Sequence, residues 1–404
     1  MEGKIVSRLP KLVIKKDRRW HYFQWFVLGF YELNDKNTID LKIDTDIICR
    51  SSFYFKNQRI QKFIRRIYYK IVRDSYYFDA YLILPDGTKK TFTIDCADTP
   101  YMFDYERLKN KDYYFKIQYP IDINEDVFHL TNEIDLPWID SEDLEPKIRK
   151  LKTNKYRKEI KDFNNYRDKI KPLMLGPREL SVGNSYYELK SGYEHYIESY
   201  HTTKKKMGMC YFVNSKGPLP SKEIDEPDFG FEYDLVGWFG NKICHPNIKR
   251  AIIAEILNKK SGFDCRIIND GNADSEDHIN RDLVVPLDKF ESHVSKFMYN
   301  FNVSGFTLSI PSRFIDSFAV GTAVVTDKLH CKWYLPFTED EVKETIDMGY
   351  EPIDKIDWKQ FEYDVNNLNK TNPNRIHELY LEKWSPSAVA TYIINTLIGE
   401  KNND

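Results

Sequence analysis

This 404-residue chain has few features that point to a metal site, a disulfide framework or a membrane span. Its six cysteines are scattered without a CxxC pair, which argues against structural zinc and disulfides and favours a reducing compartment. The nine histidines include no HxxxH pair, so we expect no bound metal. No apolar run reaches the roughly 18 residues of a membrane-spanning helix. The first residues lack the apolar stretch of a secretion signal, and we expect a cytoplasmic location.

Charge and glycine patterns exclude further classes of protein. The net charge of −2 provides no basic field, so we expect no nucleic-acid partner. Neither GxGxxG nor GxxxxGK[ST] occurs, which leaves a dinucleotide oxidoreductase and a P-loop kinase without their fingerprints. The length exceeds what one hydrophobic core usually supports, so two domains are expected.

What the chain does contain is a change of texture after its midpoint. Before it, residues 39–43 alternate as a strand, and residues 80–84 and 90–94 flank a Pro-Asp-Gly turn as a hairpin. Residues 22–33 predict a helix or a buried strand, and residues 140–171 show no strand signal. Beyond the midpoint, strands alternate with helices and predict a parallel sheet. The predicted units are an N-terminal domain (1–205), a linker (206–228), a C-terminal domain (229–380) and a final helix (381–404).

The predicted elements of the second half alternate regularly. Strands are predicted at 233–238, 263–268, 305–310 and 322–326, and helices at 245–259, 287–299 and 313–320. After Phe337 the sequence predicts helices alone, ending with a helix over 385–397.

The segment with most chemical content is residues 311–325, where a strand end, a short helix, Gly321 and a new strand follow one another. The carboxyl edge of a parallel sheet suits a phosphate, and there Ser312 precedes the permanent cation of Arg313. Asp316 lies about one helical turn further on and could accept hydrogen bonds from a ribose diol. In the alternative interpretation, Arg313 and Asp316 form an ion pair on the helix surface.

This segment resembles the donor-binding segment of GT-B glycosyltransferases, including exostosin-like and group 1-like members. Asp316 precedes Gly321 by five positions, residues 322–325 match the following strand, and residues 335–337 read Leu-Pro-Phe. Many retaining members carry a second Glu eight residues before the acidic residue, and Leu308 stands there. The resemblance covers residues 230–337. It implies an α/β fold of two Rossmann-like domains facing a cleft, with C-terminal helices packing back on the N-terminal, acceptor-binding domain.

The start of the same domain extends the resemblance. The sequence predicts a glycine turn at Gly237, Gly240 and Asn241, and Arg250 follows in a predicted helix. The glycines would let the backbone approach a diphosphate, and Arg250 would neutralise it. The alternative is a glycine turn with solvated basic residues.

The N-terminal half is expected to supply the acceptor site and the base. Asp95 and Asp98 leave a predicted strand for a loop, a common place for a catalytic base. The alternative for each is a turn or a helix N-cap. The resemblance thus implies a hexosyl- or pentosyltransferase that moves a sugar from a nucleotide diphosphate sugar, its co-substrate, to a surface glycan (polysaccharide or glycoprotein glycan).

Three further hypotheses stay open. Asp44 and Asp46 form a DxD, which would suit a metal-dependent GT-A transferase. A non-catalytic carbohydrate-binding or scaffold protein could keep the fold without the donor site. Residues 53–73 predict an amphipathic helix whose apolar face begins with Phe53 and whose basic face ends with Arg73, a pattern suited to peripheral contact with anionic lipid.

Overall fold

A computed structural model gives the fold of most of the chain. The residues described are 9–16, 22–45, 76–97, 100, 103–121, 165–177, 180–181, 185–213, 246–269, 284–286, 290–302, 309–346 and 356–399. The predicted strand at 233–238 and the predicted helix at 53–73 lie outside them.

Strands and helices are numbered in chain order within these residues. The strands are β1 Lys11–Lys16, β2 Asp40–Thr45, β3 Tyr77–Ile83, β4 Lys89–Asp95, β5 Tyr113–Lys116, β6 Tyr119–Pro120, β7 Ile170–Pro172, β8 Lys206–Val213, β9 Phe263–Asn269, β10 Val284–Pro286, β11 Phe297–Phe301, β12 Ala323–Thr326, β13 Cys331–Lys332 and β14 Val342–Glu344. The α-helices are α1 Gln24–Asp35, α2 Tyr105–Asn110, α3 Tyr186–Glu198, α4 Pro246–Asn258, α5 Phe290–Val294, α6 Arg313–Ala319, α7 Trp358–Asn366, α8 Pro373–Lys383 and α9 Pro386–Ile398.

The first sheet is mixed and has the spatial order β2-β1-β3-β4-β5-β7. Strand β3 pairs antiparallel with both β1 and β4, and the other pairs are parallel. The predicted hairpin is confirmed, because β3 and β4 pair antiparallel. Strand β3 alternates between buried and partly exposed residues, as a strand with one face in the core does.

Helix α1 settles the ambiguity over residues 22–33 in favour of a helix. Eight of its residues are buried, including Gly29, because α9 packs along it. A helix that is apolar on most sides loses the periodicity that would separate it from a buried strand. At Gly29 an added Cβ would lie 2.0 Å from the carbonyl oxygen of Pro386, so the two helices cross at the distance that glycine allows.

The second sheet is parallel throughout, as the alternating pattern predicts, and has the order β10-β9-β8-β11-β12-β14. The chain builds outward from β8 through β9 to β10 and then returns to the other side of β8 for β11. The boundary between β8 and β11 is therefore a topological switch point, where α/β sheets bind ligands beyond the carboxyl ends of their strands.

Several boundaries differ from the sequence prediction. Where residues 287–299 predict one helix, the described residues from 290 onward form helix α5 and then strand β11, because pairing with β8 and β12 overrides a helical spacing of apolar residues. Chain after Phe337 is not purely helical, since β14 pairs with β12. Strand β8 begins at Lys206 and includes residues 209–213, which the sequence predicts as a short strand inside the linker 206–228. Strand β7 begins at the end of the stretch 140–171, which shows no strand signal, because a strand of three residues is too short for an alternating pattern.

Of the strand predicted at 305–310 the structure describes only residues 309 and 310, which are not in a strand. Other predicted elements of the second half agree with the structure. Helices α4 and α6 and strands β9 and β12 lie at the predicted positions, as does the last helix, α9. The described part of the chain is thus an α/β structure with one mixed and one parallel six-stranded sheet.

The two sheets are joined at their carboxyl ends. Gln118, two residues after β5, donates to the carbonyl of Ile310 and accepts from its N–H, both at 2.9 Å. Next to it, β6 pairs antiparallel with β13, which follows β12. Segments that leave the carboxyl ends of β5, β11 and β12 therefore meet in one place.

Candidate functional site

The candidate site lies at the carboxyl end of β11, beside the switch point of the second sheet. Asn302 directly follows β11, and its N–H donates to the carbonyl of Val325 on β12 at 2.8 Å. Its side chain is buried, with 3 % of its surface exposed. The side-chain oxygen accepts from Nε and Nη2 of Arg313, at 3.3 and 3.0 Å. Arg313 is thereby held at the carboxyl edge of the second sheet, beside the switch point.

Among the described residues, the guanidinium of Arg313 has few partners. It has five N–H donors, and two of them bond to Asn302. No carboxylate lies within ion-pair distance of it in the described part of the chain. Burial lowers the pKa of Arg313, which means that its surroundings disfavour the charge that it carries. A cation in that position gains from an anion that binds beside it.

Helix α6 holds Arg313 rigidly because its other side is packed in aromatic core. Phe314 and Phe318 both contact the rings of Trp333 and Phe337. Phe337 is the last residue of the Leu-Pro-Phe run that the sequence singled out, and its place in the structure is in this cluster. On the sheet side, Nδ2 of Asn300 donates to the hydroxyl of Ser317 at 2.8 Å.

Asp316 is buried and bonded to the first half of the chain. The hydroxyl of Tyr196 on α3 donates to its carboxyl oxygen Oδ1 at 2.7 Å. Burial raises the pKa of Asp316 well above its usual range and neighbouring Glu291 adds to the rise, whereas Tyr196 and Arg313 oppose it. Asp316 and Arg313 do not form the surface ion pair of the alternative interpretation. The ribose-binding role of Asp316 stays a prediction.

Asp95, the predicted base, ends β4 in a fully buried network. Its carboxylate accepts from Nζ of Lys116 at 2.9 Å, from the hydroxyl of Tyr114 at 2.6 Å and from the N–H of Ala97 at 2.9 Å. Asp95 and Lys116 have 0 % exposed side chains. These contacts give Asp95 a structural partner on β5, and its catalytic role stays a prediction.

The other predicted site residues are less completely placed. Ser312 precedes α6 and is partly exposed. Arg250 lies on α4, of which the structure describes the backbone at that position. The rest of the predicted residues lie outside the described part: Gly237, Gly240, Asn241 and Asp98.

The structure describes one of the two aspartates of the DxD motif. Asp44 lies exposed on β2, and Asp46 is outside the described residues. Within the described residues no three His, Cys, Asp or Glu side chains are grouped so that they could hold a metal ion. The same residues contain no helix long and apolar enough to cross a membrane.

Sequence reasoning missed Asn302, because residues 287–299 predict a helix and hide the end of β11. The preceding residues, Phe-Met-Tyr-Asn-Phe, do not alternate between apolar and polar, so no local pattern marks the end of β11.

Comparisons with known proteins give weak structural likeness only. No family model matches the chain, and no curated protein matches it in sequence. Anabaena HepE, solved in complex with UDP-glucose, is 8% identical, with a TM-score of 0.36 over 96% of this chain and 100% of that chain.

Two further solved structures are similar at the same level. A TarM variant from S. aureus, solved with Fondaparinux, alpha-GlcNAc-glycerol and UDP, has a TM-score of 0.37 and 8% identity, covering 96% and 100%. A chain of the GtfA/B complex has a TM-score of 0.35 and 8% identity over 75% of this chain, which spans 48% of that chain's length. TM-scores below 0.5 do not establish a shared fold, and the function proposed below rests on the geometry of this chain.

Proposed function

We propose that the chain is a glycosyltransferase that moves a hexosyl or pentosyl group from a nucleotide diphosphate sugar to a glycan acceptor. The observation that carries the proposal is the cation of Arg313, fixed by Asn302 at the carboxyl end of β11 without a carboxylate partner among the described residues. The adjacent switch point is where a parallel α/β sheet binds a nucleotide. The diphosphate of a nucleotide sugar is an anion that could bind Arg313 and at the same time occupy the switch point.

Arg313 would act on the leaving group. When the bond between the anomeric carbon and the diphosphate oxygen breaks, negative charge grows on the departing nucleotide. A fixed cation that gains more from that charge than from the bound substrate lowers the barrier. The guanidinium does not need to reorganise, since Asn302 and the packing of α6 already hold it.

The acceptor would approach from the first sheet, whose carboxyl end meets the segment before α6 at Gln118 and Ile310. In an inverting transfer the acceptor hydroxyl attacks the anomeric carbon and its proton passes to a carboxylate. Asp95 and Asp98 are our candidates for that base. We also propose that donor and acceptor meet in a cleft between two Rossmann-like domains. Because Asp95 is buried against Lys116, replacement of Asp98 is the more informative variant.

We further propose that the reaction needs no bound metal, that the acceptor is a surface polysaccharide or glycoprotein glycan, and that the protein acts in the cytoplasm, with peripheral membrane contact through residues 53–73. Arg250 and the turn at Gly237, Gly240 and Asn241 would complete the diphosphate site, and Asp316 would bind the ribose.

A panel of nucleotides tests the proposal. UDP, GDP and ADP are screened by thermal shift, and the matching nucleotide sugars are then assayed for release of the free nucleotide. We expect one nucleoside diphosphate to raise the melting temperature and its sugar to be turned over. Binding without turnover would favour the non-catalytic carbohydrate-binding protein. No stabilisation by any nucleoside diphosphate would contradict the proposal.

A further inference from the structure

A second concave surface lies at the opposite, amino edge of the second sheet. Its volume is about 370 Å³, and it is lined by His201, Thr202, Thr203, Lys205, Ser295 and Lys296. Residues 201–205 lead from α3 into β8, and Ser295 and Lys296 form the turn between α5 and β11. The cavity therefore sits between the amino ends of β8 and β11, whereas Arg313 lies at their carboxyl ends.

Backbone contacts hold the two walls of this cavity together. The N–H groups of Lys205 and Lys206 both donate to the carbonyl of Lys296, at 3.0 and 3.1 Å. The ammonium of Lys204 turns inward and donates to the carbonyl of Ser295 at 2.9 Å. Three hydrogen bonds thus fix residues 204–206 against the turn at 295–296. The two walls of the cavity are therefore held in a defined position relative to each other.

The lining is cationic and contains no carboxylate. Lys205 and Lys296 are exposed, and within the described residues neither forms an ion pair. The neighbouring Lys206, by contrast, is paired with Asp264 at 2.8 Å. A backbone hydrogen bond joins Lys205 to Lys296, so two lysines without an ion-pair partner among the described residues come from adjacent points on the two walls of the cavity. An anion bound in the cavity could be reached by both of these flexible side chains.

We propose that this cavity binds the phosphate monoester group of a small molecule. A phosphate monoester carries close to two negative charges at neutral pH, which matches the two ammonium groups of Lys205 and Lys296. Thr202, Thr203 and His201 line the same space, and their side chains carry groups that can donate hydrogen bonds. The volume falls within the range of about 300–1,000 Å³ for small-molecule sites, so there is room for a sugar attached to the phosphate. This site is separate from the proposed donor site and does not depend on it.

The test is isothermal titration with glucose 6-phosphate, inorganic phosphate and unphosphorylated glucose at low ionic strength. The variant Lys205→Ala/Lys296→Ala removes both cations of the cavity. The matched control Lys359→Ala/Lys370→Ala removes two exposed lysines on and after α7, with the same change in net charge. We expect glucose 6-phosphate and inorganic phosphate to bind the parent protein and the control variant with equal affinity. Both should bind the cavity variant at least tenfold more weakly, and glucose should not bind.

Arg313→Ala separates this site from the proposed donor site. Binding of glucose 6-phosphate should persist in Arg313→Ala whether or not any nucleotide binds the protein. Three results would overturn the proposal: no binding of either phosphorylated probe to the parent, equal weakening in the cavity variant and the control pair, or loss of binding in Arg313→Ala alone. Because all four lysines are exposed, the variants should keep the parent melting temperature, and Lys205→Glu, which reverses one charge, serves as a second variant.

Discussion

At the scale of single residues, Gly321 closes α6 in a conformation that other residues rarely adopt. Its φ is +70°, and an added Cβ would lie 2.7 Å from the carbonyl oxygen of Pro373 and 2.9 Å from the ring of Tyr200. We expect Gly321→Ala to lower the free energy of unfolding by about 2–3 kcal/mol through strain and overlap together, as urea unfolding would measure. Gly399 has φ of +81° and open space around it, so Gly399→Ala should cost only about 1 kcal/mol. Equal losses in the two variants would contradict the packing at Gly321.

Lys204 predicts a pH dependence of stability. Its ammonium is buried between the carbonyls of Ser295 and Val320, and burial lowers its pKa to about 7 from 10.5. Below pH about 7 both folded and unfolded chains are protonated at this residue. Between that pH and about 10 the unfolded chain binds more protons, so stability rises with pH, by up to about 1.4 kcal/mol per unit.

Urea unfolding at pH 7 and at pH 9 measures this slope. Lys204→Met should lose the rise that Lys204 contributes, whereas Lys359→Met, on the exposed side of α7, should keep it. The same slope in the parent and in Lys204→Met would show that Lys204 does not change its proton affinity on folding.

Single residues also show where sequence reasoning succeeds and where it stops. Arg313 and Gly321 could be found from the sequence, because a cation at a strand–helix boundary and a glycine at a helix end are local signals. Asn302 and the pairing of Asp95 with Lys116 could not, since they depend on which strands become neighbours. Asp316 was recognised as significant, but its contact with Tyr196 spans 120 positions and leaves no local pattern.

At the scale of elements, the buried carboxylate of Glu341 ties the segment before β14 to the junction of α8 and α9. It accepts hydrogen bonds from Nε1 of Trp384 at 2.6 Å, from Nζ of Lys383 at 2.7 Å and from the backbone N–H of Thr338 at 2.8 Å. We expect Glu341→Gln to lower the free energy of unfolding by about 3 kcal/mol, because the charge of Lys383 loses its partner and an amide N–H replaces an acceptor.

Glu339 provides the control for that prediction on the same loop. Its side chain is 97% exposed, and its 3.7 Å ion pair with Lys343 should contribute little. Chemical unfolding of Glu339→Gln should therefore match the parent. If Glu341→Gln were as stable as Glu339→Gln, the network at Trp384 would not hold α8 and α9 to the second sheet.

Elements were predictable in proportion to their length and periodicity. The hairpin β3–β4, helix α6 and helix α9 have clear patterns and were found. Short edge strands such as β7 and β14, and the helix-to-strand change between α5 and β11, are decided by pairing with neighbours that no local window contains.

At the scale of the whole molecule, the proposed transfer relies on a protein cation rather than on a metal. Turnover of the best nucleotide sugar should therefore survive EDTA, because Arg313 would carry the charge that a divalent ion carries elsewhere. Loss of turnover in EDTA with recovery in Mn²⁺ would move the proposal to Asp44 and Asp46.

The two sheets meet at their carboxyl ends through Gln118 and Ile310. Arg313, three residues after Ile310, therefore lies near the segment that follows β5. The central claim is that this cation binds the diphosphate of the donor. The decisive measurement is the affinity and turnover of the best nucleotide sugar in the parent, in Arg313→Ala, in Arg313→Lys and in Arg375→Ala, whose arginine is exposed on α8.

We predict that Arg313→Ala lowers turnover about 100-fold or more, while the free energy of unfolding falls by only about 1–3 kcal/mol, because the buried oxygen of Asn302 loses its donor. Arg313→Lys should recover only part of the loss, since lysine keeps the charge but cannot reproduce the two bonds to Asn302. Arg375→Ala should behave as the parent. Parent-level affinity and turnover in both Arg313 variants would contradict the account.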